Sequence, residues 1–190
     1  MILIKENNIK IKLSIIIPTL NESKNLPLLL SDLSEINNKS EILIIDSTSK
    51  DKTRDIALIN GTKFYKINKN NRGLQLNHGA KKAKGEWLLF IHADSRLRYN
   101  WSKKIEEIIK GDSNLIYYFS FKINNKLFTY RLLEFLVNLR CFLLKTPYGD
   151  QGLLISKENF KINGGYKTIP IMEDFDFISR IKKKYLRCLY

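Results

Sequence analysis

Leu88-Leu89-Phe90-Ile91-His92-Ala93-Asp94 decides the fold. Its apolar run lacks polar alternation and then meets a carboxylate. That is the signature of a strand covered on both faces, delivering an acidic side chain to its open end. The pattern occurs twice upstream. Ser14-Ile15-Ile16-Ile17 runs into Pro18-Thr19-Leu20-Asn21-Glu22, and Glu41-Ile42-Leu43-Ile44-Ile45 stops at Asp46. Between the strands lie segments with helical spacing. Leu26, Leu29, Leu30 and Leu33 predict one helix, with Asn21 or Ser23 as N-cap. Residues 51–60 predict a second, closed by Gly61. Residues 73–84 predict a third, stopped by Gly85, and 101–110 a fourth, ended by Gly111. With short strands at 63–67 and 87–92, residues 13–110 read as repeated βα units. These imply an α/β fold with a mainly parallel, Rossmann-like sheet flanked by helices. Ligands of such sheets bind beyond the carboxyl ends of the strands, here residues 19–22, 46–51 and Asp94.

The pattern changes after residue 111. Residues 115–123 predict an aromatic-rich strand. Residues 127–144 predict a helix with Leu132, Phe135, Leu136, Leu139, Phe142 and Leu143 on one stripe, and Arg131, Glu134, Asn138 and Arg140 on the other side. The stripe is expected to dock on a core, a membrane surface being the other reading. A polar loop at 146–152 and a strand at 152–156 follow. Ser156 is placed to cap a short helix ended by Gly164-Gly165, and 174–186 reads as a final helix. Lys182-Lys183-Lys184 with Arg187 reads as a solvated face that could also meet lipid phosphate.

A chain of 190 residues suits one domain with a sizeable core. Its net charge of +14 favours polyanionic neighbours, although the cations are spread along the chain and equally fit a plain Lys-rich composition. Cys141 and Cys188 make no disulfide framework, and with His78 and His92 they match no zinc spacing. The sequence holds no run of about 18 apolar residues, and Met1-Ile2-Leu3-Ile4-Lys5-Glu6 lacks a signal-peptide layout. A cytoplasmic protein is expected. The absence of Gly-x-Gly-x-x-Gly after the first strand, and of a Walker loop, argues against dinucleotide and ATP enzymes. No basic-aromatic interleaving suggests nucleic acid as a partner.

Each candidate residue has a structural reading beside the chemical one. Asp46 can accept hydrogen bonds from a base or ribose, or it can simply close a strand-to-helix turn with Ser49 or Asp51 as cap. His92 and Asp94, two apart, would share one side of an extended segment. Asp94 can then hold Mg²⁺ or Mn²⁺ bridging phosphate oxygens, or cap a turn ahead of Arg96. Arg72, Gln75 and Asn77 open a helix, where a guanidinium and backbone N–H groups suit a diphosphate or a solvated first turn. Glu173-Asp174 can supply a general base or complement a helix dipole. Tyr148-Gly149-Asp150-Gln151-Gly152 can line an acceptor pocket or form a turn.

In this order the segments resemble glycosyltransferase family 2, of GT-A fold, and most nearly a bacterial subgroup named selenodomain-associated transferase 2. The resemblance rests on 14–22, Asp46 with Ser49 and Thr53, Arg72 through Gly79-Ala80, Gly85, His92 to Ser95, 149–152, Gly164-Gly165 and Met172-Glu173-Asp174. It implies an inverting, metal-assisted transfer of a sugar from a nucleotide-sugar donor to an acceptor hydroxyl. Pro18, Thr19, Asn21, Glu22, Asp46, Arg72 and Gln75 would serve the donor nucleotide, and Asp94 a divalent cation. Asp174, with Glu173, would be catalytic, and Tyr148, Asp150 and Gln151 would face the acceptor. The resemblance divides a single domain, 1–190, into a nucleotide-binding half (about 13–110) and an acceptor and catalytic half (about 111–190).

Three departures bear on activity. His92 stands where the family's metal motif has its first Asp, and Ser47 where many members have a second acid. The chain ends at Tyr190, where relatives continue with a further strand and helix, so truncation at the C-terminus is one reading. The alternatives are a non-catalytic nucleotide-sugar-binding or degenerate module on the same fold, and a basic membrane-surface or polyanion-binding protein. The expected location is the cytoplasm, at the inner face of the membrane if the acceptor is lipid-linked.

Overall fold

The apolar runs form the middle of a seven-stranded sheet in a computed structural model that describes residues 11–37, 39–124 and 127–189. The N-terminal stretch read above for a leader, and Tyr190, lie outside these residues. The strands are β1 (Leu13–Thr19), β2 (Ser40–Asp46), β3 (Lys63–Lys66), β4 (Trp87–Phe90), β5 (Ile116–Phe119), β6 (Leu153–Ser156) and β7 (Leu186–Leu189). Their order in space is β3-β2-β1-β4-β6-β5-β7. β1 pairs in parallel with both β2 and β4, so the order reverses between β1 and β4. A crevice opens at such a reversal, beyond the carboxyl ends of the two strands.

The helices are α1 (Leu26–Leu33), α2 (Thr53–Ile59), α3 (Arg72–Lys82), α4 (Trp101–Ile108), α5 (Phe128–Leu144), α6 (Lys157–Ile162) and α7 (Glu173–Arg180). Because β1, β2 and β4 are buried on both faces, they divide the core in two. One layer gathers Ile16, Leu43, Ile45, Leu88 and Phe90 with α3, α6 and α7. The other gathers Ile15, Ile17, Ile44 and Leu89 with α1, α2 and α4. Alternate residues of each strand serve opposite layers, which is why the middle of each strand is apolar at every position and polar residues sit towards the ends. α3 lies directly on the sheet. A Cβ at Gly79 would run into Ile16 Cγ2 and come within 3.2 Å of Ile45 Cγ1.

β6 is antiparallel to β4, with Phe90 opposite Leu153. This pairing matters for the site, because the loop entering β6 must then lie beside the carboxyl end of β4. β5 pairs antiparallel with β6 and parallel with β7.

Several expectations are corrected. Neither Asn21 nor Ser23 caps α1; the cap position is Asn25, without a side-chain bond to the helix N–H groups. α2 starts after Lys52, although Asp51 Oδ1 still accepts from the Thr53 N–H at 3.0 Å. The final helix stops at Arg180, and its expected second half becomes a 3₁₀ turn and β7. Leu186-Arg187-Cys188-Leu189 is too short for its period to be read, and the open edge of β5 recruits it. Ser156 does cap α6, accepting from Asn159 N–H at 3.3 Å.

The α5 stripe is the largest departure. Phe128, Phe135 and Phe142 are 80%, 62% and 70% exposed, and Leu132, Leu136 and Leu143 at least half exposed. The polar side turns inward. Asn138 both donates to and accepts from the Phe121 backbone at 2.9 Å, and Glu134 accepts from Ile123 N–H at 2.6 Å. Backbone beyond β5 needs those partners, which fixes the helix rotation with its apolar stripe outward.

Gly79→Ala is expected to lower stability by about 1–3 kcal/mol, the usual cost of overpacking a close helix–sheet contact. Urea unfolding followed by circular dichroism measures it.

Candidate active site

The crevice at the β1–β4 reversal is built from four loops. The first two are zipped together. Asn21 N–H donates to Ser49 Oγ at 2.7 Å, Glu22 N–H to Thr53 Oγ1 at 2.8 Å and Ser23 N–H to Asp51 Oδ2 at 3.0 Å. Asn21 Oδ1 in turn accepts from Lys50 N–H at 2.8 Å. The hydroxyl cluster after Asp46 therefore supplies acceptors to the β1 loop. Asn21 and Thr48 hold left-handed backbones, φ 58° and 62°. For β-branched Thr48 that conformation is an outlier of the sort that surrounding structure must enforce.

Asp46 is buried under this zipper. Its carboxylate accepts from Thr19 Oγ1 at 3.0 Å, from Ser49 N–H at 2.8 Å and from the Ser49 hydroxyl. Gln75 is buried as well, and its amide donates to Thr19 O at 2.9 Å and Ile45 O at 2.7 Å. Both were expected on donor grounds. In the structure Gln75 ties the ends of β1 and β2 together, and Asp46 organises the loops around it. Ser47 is fully buried, its hydroxyl donating to Lys69 O at 2.8 Å. Pro18 and Glu22 are half-buried at the crevice edge, and Glu22 accepts from the Asn25 amide at 2.9 Å.

The third loop follows β4. The strand ends at Phe90, and residues 93–94 turn, with Ser95 N–H donating to His92 O at 3.2 Å. His92 and Asp94 thus do not share one side of an extended segment. Asp94 is exposed at the mouth, while His92 points beneath the fourth loop, residues 148–152. Burial pushes the His92 imidazole below its ordinary value, helped by the Arg72 charge and opposed by Asp94, Asp150 and Asp174. Asp150 is exposed, yet partial desolvation against the loop raises it above the ordinary carboxylate range, against the pull of His92 and Arg140.

Asp174 closes the site. Its Oδ2 accepts from Gly149 N–H at 2.5 Å, and a Cβ on Gly149 would lie 2.9 Å from that oxygen and 3.1 Å from His92 Nε2. Glycine is favoured there by contact rather than by backbone angle. Glu173 is buried and paired with the Arg72 guanidinium, whose Nη2 lies 3.9 Å from Asp174 Oδ2. Beneath α7 the rings of Phe90, Phe160, Tyr166 and Phe177 form a packed cluster with centroids 4.8–5.6 Å apart. Tyr148 packs edge-on against Phe175, with the Arg140 guanidinium 3.8 Å from its ring. Gln151 is buried and bonds Tyr148 N–H and Phe119 O, so it braces the loop instead of facing an acceptor.

Two residues matter more than their sequence signal. Asn77 donates to Tyr166 O at 2.6 Å and accepts from Tyr166 N–H at 3.0 Å, while Asn71 donates to Ile169 O at 2.9 Å. Together they clamp the segment leading into α7 onto α3. In the sequence Asn77 reads only as part of a helix start that suits a diphosphate or solvent, and Asn71 carries no signal beyond its place before a helix.

A model of glycosyl transferase family 2 matches residues 14–188. The chain belongs to this family. An uncharacterized glycosyltransferase of Haemophilus influenzae is 27% identical over 184 residues, covering 89% of this chain and 61% of that protein. The 4,4'-diaponeurosporenoate glycosyltransferase of Staphylococcus haemolyticus is 34% identical over 106 residues, 52% of this chain and 28% of that protein. The chain therefore spans about three fifths or less of these relatives. Among solved structures, S. aureus TarS residues 1–349 superpose with a TM-score of 0.73 at 18% identity, over 94% of this chain and 58% of that one. The mannosyltransferase PcManGT of Pyrobaculum calidifontis, in complex with GDP-Man and Mn²⁺, gives 0.68 at 16%, over 94% and 54%. These likenesses establish the GT-A fold.

His92 is expected to titrate below about 6.5, the ordinary histidine value, in the metal-free protein by NMR. The unfolded chain binds that proton more readily, so the His92 contribution to stability is lost as pH falls below that value. His92→Gln should flatten this part of the pH–stability curve.

Proposed function

We propose that this chain is the donor-binding and catalytic part of a transferase that moves a sugar from a nucleoside-diphosphate sugar to an acceptor hydroxyl with inversion. The observation that carries the reading is the meeting of Asp174 Oδ2 and His92 Nε2 at Gly149, beside the β1–β4 reversal. TarS has been crystallised with UDP and with UDP-GlcNAc, and PcManGT with GDP-Man and Mn²⁺. By analogy the donor here is a UDP- or GDP-sugar. The narrower selenodomain-associated assignment rests on sequence motifs alone.

In this reading Thr19, Asn21 and Glu22 border the nucleoside and Arg72 faces the diphosphate, while Asp46 and Gln75 hold the pocket's shape. Asp94 fits a divalent cation site. It is an exposed carboxylate, and among the described residues no three His, Cys, Asp or Glu converge as a protein cage. Mg²⁺ and Mn²⁺ at nucleotides take one or two carboxylates and fill the remaining positions with phosphate oxygens and water. When bound, the cation would offset charge on the departing diphosphate.

Asp174 acts as the general base. Its Oδ2, oriented by Gly149 N–H, takes the proton of the acceptor hydroxyl. The acceptor oxygen so freed attacks the anomeric carbon from the face opposite the diphosphate, and the C–O bond to the diphosphate breaks, its electron pair leaving with the nucleoside diphosphate. Glu173 does not reach the acceptor; it holds Arg72 and with it the spacing between α3 and α7. Tyr148 and Asp150 border the acceptor side. We place the protein in the cytoplasm; among the described residues no helix is long and apolar enough to cross a membrane.

Asp174→Asn is expected to slow nucleoside-diphosphate release from UDP-GlcNAc or GDP-mannose, with Mn²⁺, by about 10²–10⁴-fold, the range for loss of a general base. Donor affinity should stay near the parent value. Release as fast as the parent's would remove Asp174 from the role. Glu173→Gln should weaken donor binding and lower the unfolding midpoint as well, because it loosens Arg72.

A further inference from the structure

We infer that the outward face of α5 is a docking surface for an anionic lipid bilayer. α5 is inverted with respect to an ordinary surface helix. Its polar side chains Arg131, Glu134 and Asn138 are spent on the backbone of residues 121–123. Its exposed positions are Phe128, Thr129, Leu132, Leu133, Phe135, Leu136, Leu139, Phe142, Leu143 and Leu144, with no charge among them. The three phenylalanines alone, at 80%, 62% and 70% exposure, present roughly 300–500 Å² of ring surface, about as much as the largest apolar patch of a typical monomer. The leucines extend it along the whole helix.

Charge selects the occupant. Beside α5 runs a groove lined by Arg98, Lys122, Arg131, Glu134 and Asn138. Arg98 and Lys122 are exposed, and Glu134 is already engaged with Arg131 at 2.6 Å. Lys145 follows at the helix end. The apolar strip is thus flanked by cations on a chain of net charge +14. Two copies would bring like charges together, whereas an anionic bilayer offers both hydrocarbon for the strip and phosphate for its margin. α5 has 17 residues, about 25 Å at the helical rise, and it does not qualify as a span. It would lie in the interface.

The placement has a consequence for the site. The chain leaves α5 directly into the 148–152 loop, Cys141 Sγ contacts Gln151 Oε1 at 3.1 Å, and Arg140 stacks on Tyr148. A bilayer against α5 brings the acceptor side of Asp174 near the headgroups. If the transferase reading holds, the acceptor is a hydroxyl carried by a lipid.

The test is co-sedimentation of the 190-residue chain with vesicles of phosphatidylcholine containing phosphatidylglycerol, and with phosphatidylcholine alone, at low and high salt. The parent should bind the anionic vesicles, more weakly as salt rises. Phe135→Asp with Phe142→Asp should weaken binding by about tenfold or more. Arg98→Glu with Lys122→Glu should remove the preference for anionic lipid. Phe135→Ser with Phe142→Ser repeats the first arm with a milder change, and urea midpoints confirm folding. Absence of vesicle binding by the parent, or binding indifferent to the phenylalanines, overturns the proposal. So does a phenylalanine-dependent dimer in light scattering that sediments with neither vesicle. UDP titration of the same samples separates this from the donor reading: vesicle binding without nucleotide binding would refute the transferase reading and leave the docking surface standing.

Discussion

The hydrogen bond from Gly149 N–H to Asp174 Oδ2, 2.5 Å long, is the point on which the β1–β4 crevice depends. It joins the loop entering β6 to the first turn of α7, and it sits on His92 at the end of β4. Three segments distant in sequence are fixed by one contact, and each arrives for a separate reason. β6 runs antiparallel to β4, so its entry loop must lie beside the β4 exit. α7 is held by Glu173 against Arg72 at the start of α3. The segment before α7 is held by Asn71 and Asn77 of the same helix. Glycine lets the three meet without displacing either side chain, since a Cβ at 149 would crowd both acid and imidazole.

Polarity is arranged in two shells around this contact. Groups that shape the crevice are buried and satisfied: Asp46 by Thr19 and Ser49, Gln75 by two strand-end carbonyls, Glu173 by Arg72. Groups available to a ligand lie at the surface: Asp94, Asp150 and the edge of Asp174. A buried polar group left unpaired is costly, so residues of the first kind are committed before a ligand arrives. The left-handed backbones of Asn21, Thr48 and Met172 gather at the same loops, consistent with strain held where a ligand must be met.

Much of the fold was legible. β1, β2 and β4 declared themselves because their unbroken apolar runs serve two core layers at once, and glycine closed α2 where expected. β7 did not, because four residues carry no reliable period and the strand exists only through the edge of β5. The site was legible as a set of loops but not as a set of roles. Nothing local distinguishes Asp46, which is buried and consumed by neighbours in the fold, from Asp94, which is exposed. Gln75 and Gln151 follow the same pattern, since their partners are backbone groups far away in sequence. The two-residue spacing of His92 and Asp94 misled because the strand ends at Phe90 and the chain turns. The outward stripe of α5 could not be read from amphipathicity, which gives the two faces of a helix but not which one the rest of the fold needs.

The central claim is that the β1–β4 crevice binds a nucleoside diphosphate through a cation at Asp94. Calorimetric titration of the chain with UDP and with GDP, each with and without Mn²⁺, tests it most directly. The account predicts metal-dependent binding of one nucleotide that Asp94→Ala abolishes while the unfolding midpoint is unchanged. A folded protein that binds neither nucleotide in the presence of Mn²⁺, or binds one equally well after Asp94→Ala, would contradict it.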